Sequence, residues 1–368
     1  MLTLILFLKK VNDPRKKLGK RHPLWLILLL VILGSMFGYL GYRDLGSFAK
    51  SNQKLIVKNF HLTTDRVPSY STIRRAMMLV KTSDLIDAFN QWASQLTSSV
   101  NLTDWVSIDG KCLRSTCQNP QNSSHNFVSI VSLFSQDTGL VLGLQKVENK
   151  KSSEIRQAQE LVKGYPHQGN VFTLDALHCQ KETTTLITQS QNDYVIAVKG
   201  NQKNLFKQVV EITESQPPKS QFQSVDISHG RHLIRKVSVF DISDQKLQDF
   251  DKLKWGKITS LIKVERSGTR GKKEYEHLAY YISSLSLSAE IFASKVRGHW
   301  LIENQLHWVK DVVFKEDIWP RHNYIAVTNL SVLTTIALNL YRFLGFLSLT
   351  CAKRWLNYKL EKLIVLLN

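Results

Sequence analysis

The middle of the chain carries short apolar runs bounded by turn residues, which is the pattern of buried strands. Trp105–Asp109, Phe127–Phe134, Gly139–Val147, Asn170–Asp175 and Tyr194–Val198 read this way. A helix opened by Ser152 or Ser153 and stopped by Gly164 lies among them, and Lys181–Gln189 forms another. Three strands in a meander, followed by alternating helices and strands, predict an α/β domain with a mixed sheet flanked by helices. From about residue 201 to 284 the pattern changes. Phe222–Asp226, Leu233–Phe240, Ile258–Arg266 and Glu274–Ile282 read as strands joined by turn-rich segments, a β-rich insertion.

Helical spacing returns in Arg297–Asp317. Ile302, Leu306, Val309 and Val313 form one apolar stripe, and His299, Glu303, His307 and Lys310 a polar stripe beside it. Glu303 therefore stands on the flank of a half-buried helix. At 100° per residue, neither Asp311 nor Glu316 points where Glu303 points. Asp109 and Asp175 each close a strand-like run. Two aspartates and a late glutamate, brought together by folding, suit hard divalent cations. Two blander readings stand beside this one. A helical carboxylate can simply be solvated, and His299, Glu303 and His307, each four apart, can suggest zinc, although the H-E-x-x-H order is missing.

At the N-terminus, Leu24–Tyr42 is uncharged and mostly apolar, flanked by Lys20–Arg21 and Arg43. Its length suits a membrane span, while Gly34, Ser35, Gly38 and Gly41 suit close packing in a helical bundle. Met1–Leu8 lacks the basic start and cleavage site of a secretory signal. Pro68-Ser69 opens a further helix, with Arg74 and Arg75 in its first turns facing phosphate or solvent. Ile325–Phe346 reads as a buried helix, because its asparagines are costly facing lipid. The net charge of +19, from 49 basic and 30 acidic residues, favours a polyanionic partner, DNA or an anionic membrane. Cys112, Cys117, Cys179 and Cys351 form no C-x-x-C pair, which excludes a zinc knuckle and a disulfide framework.

Longer motifs carry more. DPR at Asp13–Arg15 and RHPL at Arg21–Leu24 are followed by IDGKCLR at Ile108–Arg114, LDALHCQKE at Leu174–Glu182 and VKGNQ at Val198–Gln202. HGR at His229–Arg231, HWLIENQLHW at His299–Trp308 and DVVFKED at Asp311–Asp317 complete the set. From about residue 10 to its end the chain resembles DDE-type insertion-sequence transposases of the H-repeat-associated family. The resemblance implies a ribonuclease H-like fold, in which the first and fourth strands are neighbours. It implies a separate N-terminal helical DNA-binding domain at 1–97 and a catalytic domain at 98–368, with the insertion at about 201–284.

The same resemblance makes Asp109, Asp175 and Glu303 both catalytic and metal-holding, with two Mg²⁺ ions, or Mn²⁺, as cofactor. It implies water cutting a DNA strand at the element's end, and the freed 3′-hydroxyl attacking target DNA. The implied partner is double-stranded DNA, in a homodimer or larger complex in the bacterial cytoplasm, with no membrane. Lys310 lies seven residues after Glu303, where related transposases place a lysine on the DNA end. Their arginine four before the glutamate is replaced by His299, with Arg297 two positions earlier. Lys111 and Arg114 of IDGKCLR are further candidate DNA contacts. So are Arg231 and Arg235 of the insertion, although Leu233 stands where relatives carry a glutamate. A metal-dependent nuclease without strand transfer, and a membrane-anchored DNA-binding protein with structural acids, remain open alternatives.

Overall fold

The computed structural model describes residues 4–17, 20–97, 104–116, 127–149, 151–228, 231–242, 255–270, 273–317, 323–357 and 359–367. Six helices come first: α1 (Leu4–Lys10), α2 (Leu24–Met36), α3 (Tyr42–Ser51), α4 (Gln53–Asn59), α5 (Tyr70–Leu79) and α6 (Thr82–Thr97). There follow β1 (Trp105–Cys112), β2 (Val128–Ser135), β3 (Val141–Glu148), α7 (Glu154–Gly164), β4 (Val171–Leu174), α8 (Lys181–Gln189) and β5 (Asp193–Val198). The insertion contributes α9 (Lys203–Ser215), β6 (Ser220–Ser228), β7 (Arg231–Asp241), β8 (Ser260–Arg270) and β9 (Lys273–Ser283). The chain then runs through α10 (Ala289–Gly298), a π-helical turn (Glu303–His307) and α11 (Trp308–Val312) to α12 (Tyr324–Phe343), α13 (Leu349–Leu356) and α14 (Leu360–Leu367).

The nine strands among the described residues belong to one sheet, in the order β3-β2-β1-β4-β5-β9-β8-β7-β6. β1 pairs antiparallel with β2 and parallel with β4, so the first and fourth strands are neighbours as expected. β4 and β5 are parallel, and β9 returns antiparallel to β5, which fuses the insertion to the central sheet. This is the ribonuclease H-like arrangement with a β-rich insertion and an N-terminal helical stretch. Helix α9 occupies the first part of the segment expected to be β-rich. Its Leu205, Val209 and Ile212 recur at helical spacing and are buried, so periodicity outweighs the character of the surrounding segment.

Strand alternation sorts the core. Val106 and Ile108 point to one face, into a cluster with Leu161, Val162, Ile187 and Val209 of α7, α8 and α9. The opposite face of β2 and β3 lies under the N-terminal helices and α12, where Ile130 and Phe134 share a core with Leu30, Phe89, Ile302, Leu306 and Leu338. Farther along the sheet, α10 covers Val237, Val239, Ile262 and Val264 with Phe292 and Val296. The expected domain boundary at 97/98 adjoins residues 98–103, outside the described residues. On both sides of it, side chains pack into that shared apolar cluster.

The apolar stretch at 24–42 is not one long helix. α2 ends at Met36 after 13 residues, about 20 Å at 1.5 Å per residue, short of the ~30 Å hydrocarbon core of a bilayer. Gly38 then turns the chain with φ of +86°, a conformation glycine adopts without strain. α12 is long and apolar enough to cross a membrane, yet 89% of its apolar window is buried inside the protein. Its asparagines explain themselves. Asn329 donates to the carbonyls of Met77 and Val80 and accepts from Thr82, while Asn339 exchanges two hydrogen bonds with the backbone of Val141.

Candidate active site

Ile108 and Leu174 pair in the parallel β1–β4 ladder, so Asp109 and Asp175 stand one position further along, at adjacent places on the sheet. Asp109 points away from the Val106–Ile108 core, toward the face that carries the Glu303 turn. A π-type turn brings Glu303 to it. The turn from Glu303 to His307 is wider than an α-turn, and the Trp308 N–H donates to the Glu303 carbonyl, five residues back. Such turns are frequent at functional sites. Ile302, Leu306 and Val309 anchor the segment in the core, as their spacing predicts.

The result is a compact donor set. Ligand atoms of Asp109, Glu303 and His307 all lie within 4.8 Å of one another. His307 Nδ1 is 3.5 Å from Asp109 Oδ2 and 3.5 Å from Glu303 Oε2. Burial pushes the Asp109 carboxyl up to about 6; His307 opposes the rise, and Glu303 and Glu154 add to it. His307 holds the Glu303 carboxyl below its ordinary value, against partial burial. Two carboxylates and an imidazole at this separation fit a divalent cation, Mn²⁺ at least as well as Mg²⁺, because Mn²⁺ accepts nitrogen more readily. The pattern of His299, Glu303 and His307 as three zinc ligands is corrected. Burial lowers His299 to about 4, and its Nδ1 lies 3.0 Å from Thr173 Oγ1, outside the cluster.

Asp175 is half-exposed and does not join that three-residue group. Its carboxylate accepts the Leu177 N–H and caps the short turn after β4. It lies 3.9 Å from the buried His178, whose Nε2 is 3.4 Å from Glu154 Oε1. Sequence reasoning missed Glu154 altogether; it placed His307 in the polar stripe beside Glu303 and weighed it as a ligand only in the zinc spacing. The offset of four from Glu303 was the available signal for His307. No local signal marked Glu154.

The other acids of the glutamate segment are engaged elsewhere. Lys111, two residues after Asp109, lies 2.7 Å from Asp311, 3.6 Å from Asp317 and 3.7 Å from Glu316. Lys310 is buried against Glu316 and donates to Ser331 and Thr335 of α12. Lys310, expected to meet DNA, has its ammonium facing inward here, because position 310 turns toward α12. Lys111 is likewise nearly sealed. Arg114 is 83% exposed, and Arg297 is exposed with one ion pair, to Asp226 at 3.0 Å.

Beyond the end of α10, the face of the insertion that the helix covers becomes basic. Arg235 of β7 is directly opposite Arg266 of β8, which is opposite His277 of β9. Both arginine Nε atoms are buried without a hydrogen-bond partner. Burial, then Arg266 and Arg297, lower the Arg235 pKa. On the opposite face of the same strands, Lys236 stands opposite Glu265, a complementary pair. The Arg231 side chain, and His229–Gly230, lie outside the described residues.

Comparison with known proteins follows the same outline. The family described as Transposase DDE domain matches residues 102–340, and the family described as DDE_Tnp_1-associated matches residues 5–93. YbfL of Escherichia coli K12 is 33% identical over 315 residues, 83% of this chain and 82% of YbfL. The H repeat-associated candidate transposase YhhI of the same strain is 32% identical over 315 residues, with the same coverage of each chain. The candidate transposase YncI of Escherichia coli O157:H7 is 29% identical over 349 residues, 92% of this chain and 87% of its own. The piggyBac transposase synaptic complex with hairpin DNA aligns with 99% of this chain and 76% of its own, at a TM-score of 0.46 and 11% identity.

Proposed function

The chain belongs to the Transposase DDE domain family, and on that premise we propose that it is an insertion-sequence transposase. It cleaves DNA strands hydrolytically at the ends of its element and joins the freed 3′-hydroxyl to target DNA. The convergence of Asp109, Glu303 and His307 within 4.8 Å carries this reading. Asp109, Asp175 and Glu303 are the catalytic carboxylates, and they hold two divalent cations. When bound, such ions lower the pKa of water and neutralise charge on the phosphate, which otherwise repels a nucleophile.

The chain's own groups do the rest. The backbone of Asp109 is fixed by β1, which pairs on both sides. Glu303 sits on an anchored turn with its side chain half-exposed, which lets it face a phosphate while staying rigid. Lys111 and Lys310 are committed to internal ion pairs, so the grip on DNA falls to arginines. Arg114, Arg297 and the Arg235–Arg266 row are the contacts favoured by the structure, with Arg231 beside them in sequence. Like charges directly opposite in a sheet are destabilising. Two buried Nε donors without partners add to that cost, and a backbone phosphate relieves both. Residues 1–97 act as the DNA-recognition part and 98–368 as the catalytic part, in a dimer or larger complex in the bacterial cytoplasm.

The test is a strand-transfer assay with Mn²⁺, using duplexes taken from the sequences that bracket the reading frame. Joined products from the wild type and none from Glu303→Gln support the reading. Cleavage that never gives joined products reduces the protein to a metal-dependent nuclease.

A further inference from the structure

Ser107 and Thr173, two residues before Asp109 and Asp175, are register partners in the β1–β4 ladder. Strand side chains alternate, so Ser107 shares the face of Asp109. Both hydroxyl residues are buried. Gln136, just past the end of β2, donates its amide to both hydroxyls at 3.1 Å, and Thr173 donates to Ser107 at 3.1 Å. His299 completes the group, with its Nδ1 3.0 Å from Thr173 Oγ1. Its pKa of about 4 leaves the ring neutral near pH 7. A Cβ at the preceding Gly298 would stand 2.1 Å from Gln136 Oε1 and would displace the amide that holds both hydroxyls.

The backbone alone leaves the direction of Glu303 open. It tightens after α10, where the Trp300 N–H reaches back three residues to Arg297 and the Ile302 N–H three to His299. It then widens through the π turn from Glu303 to His307. Ile302 and Leu306 hold the segment to the core, yet apolar contact is non-directional. Hydrogen bonds are directional, and the His299 contact supplies one. The levels match as well. Four residues of helix rise about 6 Å, and two residues of strand about 6.6 Å. An anchor at the Ser107–Thr173 pair thus delivers Glu303, four residues after His299, to the level of Asp109, two residues after Ser107. Their ligand atoms meet within 4.8 Å.

We propose that His299 is a positioning residue: through Thr173, Ser107 and Gln136 it sets Glu303 against Asp109, and so sets the affinity of their cation site. This rests on reading Asp109, Glu303 and His307 as that site.

The experiment is a Mn²⁺ titration of the full chain without DNA, with free Mn²⁺ followed by electron paramagnetic resonance, alongside thermal melting of the cation-free protein. Thr173→Val keeps the shape and loses the hydroxyl, and His299→Leu loses the ring nitrogen. Each should weaken Mn²⁺ binding about 10-fold or more, the loss typical when a group that orients a metal ligand is removed. Thr173→Ser and His299→Asn return a hydroxyl and an amide to the same places and should recover most of that affinity. Thr184→Val is the control for lost stability alone. Its buried hydroxyl donates to the Lys181 carbonyl and accepts the Gly256 N–H, away from the site. Its melting temperature should fall with Mn²⁺ affinity unchanged. Unchanged Mn²⁺ affinity in both Thr173→Val and His299→Leu overturns the proposal. So does a loss that the two conservative variants fail to recover, or an equal loss in Thr184→Val. A wild type that binds no Mn²⁺ overturns the reading of the site itself, and the proposal with it.

Discussion

Lys310 Nζ and Glu316 Oε1 face each other at 3.4 Å, with only 4% and 6% of their side chains exposed. This pair ties the segment that carries Glu303 to the loop after α11. Lys111 Nζ, at 3.7 Å from Glu316, extends it to β1, the strand of Asp109. One buried carboxylate therefore stands between the segment that carries Glu303 and the strand that carries Asp109.

Glu316→Gln should accordingly act on stability before it acts on chemistry. Burial works against the Glu316 charge, but Lys310 and Lys111 outweigh it and hold the pKa below its ordinary value. Removing the carboxylate leaves Lys310 buried opposite a neutral group, at a cost of about 3–5 kcal/mol. Urea denaturation near neutral pH measures it. The sign with pH follows: a lowered acid stabilises above its unfolded pKa, and the contribution fades as pH falls through the folded value. The difference between wild type and Glu316→Gln should shrink in acid. Equal midpoints at neutral pH would show that the pair contributes nothing.

Much of this was legible in the sequence, and the failures have physical reasons. Asp109 and Asp175 stand out in the sequence because their strands are short apolar runs ending at polar residues. The register that pairs Ile108 with Leu174 is a long-range fact that spacing cannot carry; the resemblance supplied only that the first and fourth strands are neighbours. Glu303 was placed on the correct flank, since Ile302 and Leu306 do bury. The π-turn was invisible, because a helical period of 3.6 is assumed when residues are counted. Lys310 was read as facing DNA, although the burial of Ser331 and Thr335 on α12 draws it inward.

Glu303→Gln should separate chemistry from binding. The amide keeps the shape and loses the charge that a cation needs. If electrostatic stabilisation of the reacting phosphate falls by about 3 kcal/mol or more, cleavage slows roughly 10²-fold or beyond. Affinity for the end-bearing duplex should change little. A variant that still cuts at a near-normal rate with Mn²⁺ present removes Glu303 from the site.

Arg266→Gln and Lys263→Gln alter the same strand and the same net charge on opposite faces of the sheet. If a phosphate sits on the Arg235–Arg266 row, only Arg266→Gln should weaken duplex binding. It should also reduce the slope of log affinity against log salt by about one. Identical slopes for the two variants, measured by fluorescence anisotropy on a labelled duplex, would place the DNA elsewhere.

The last prediction concerns protons at Asp109. Burial raises its carboxyl to about 6 from the ordinary 3.8, so the cation-free protein keeps a proton there that the unfolded chain has lost. The sign is opposite to that of Glu316. Between pH about 4 and 6 the raised group favours the folded state progressively less as pH rises, because the folded protein binds more protons than the unfolded chain. A cation needs the ionised carboxylate, so its binding displaces the proton. Mn²⁺ titrated calorimetrically in two buffers of different ionisation enthalpy should therefore release most of a proton from this group at pH 5. By pH 7.5 the carboxylate is already ionised and that contribution should vanish. Asp109→Asn removes this group's share of the release, and so narrows the difference between the two pH values. A release that is the same at pH 5 and pH 7.5 in the wild type would mean that Asp109 is already ionised when the cation arrives.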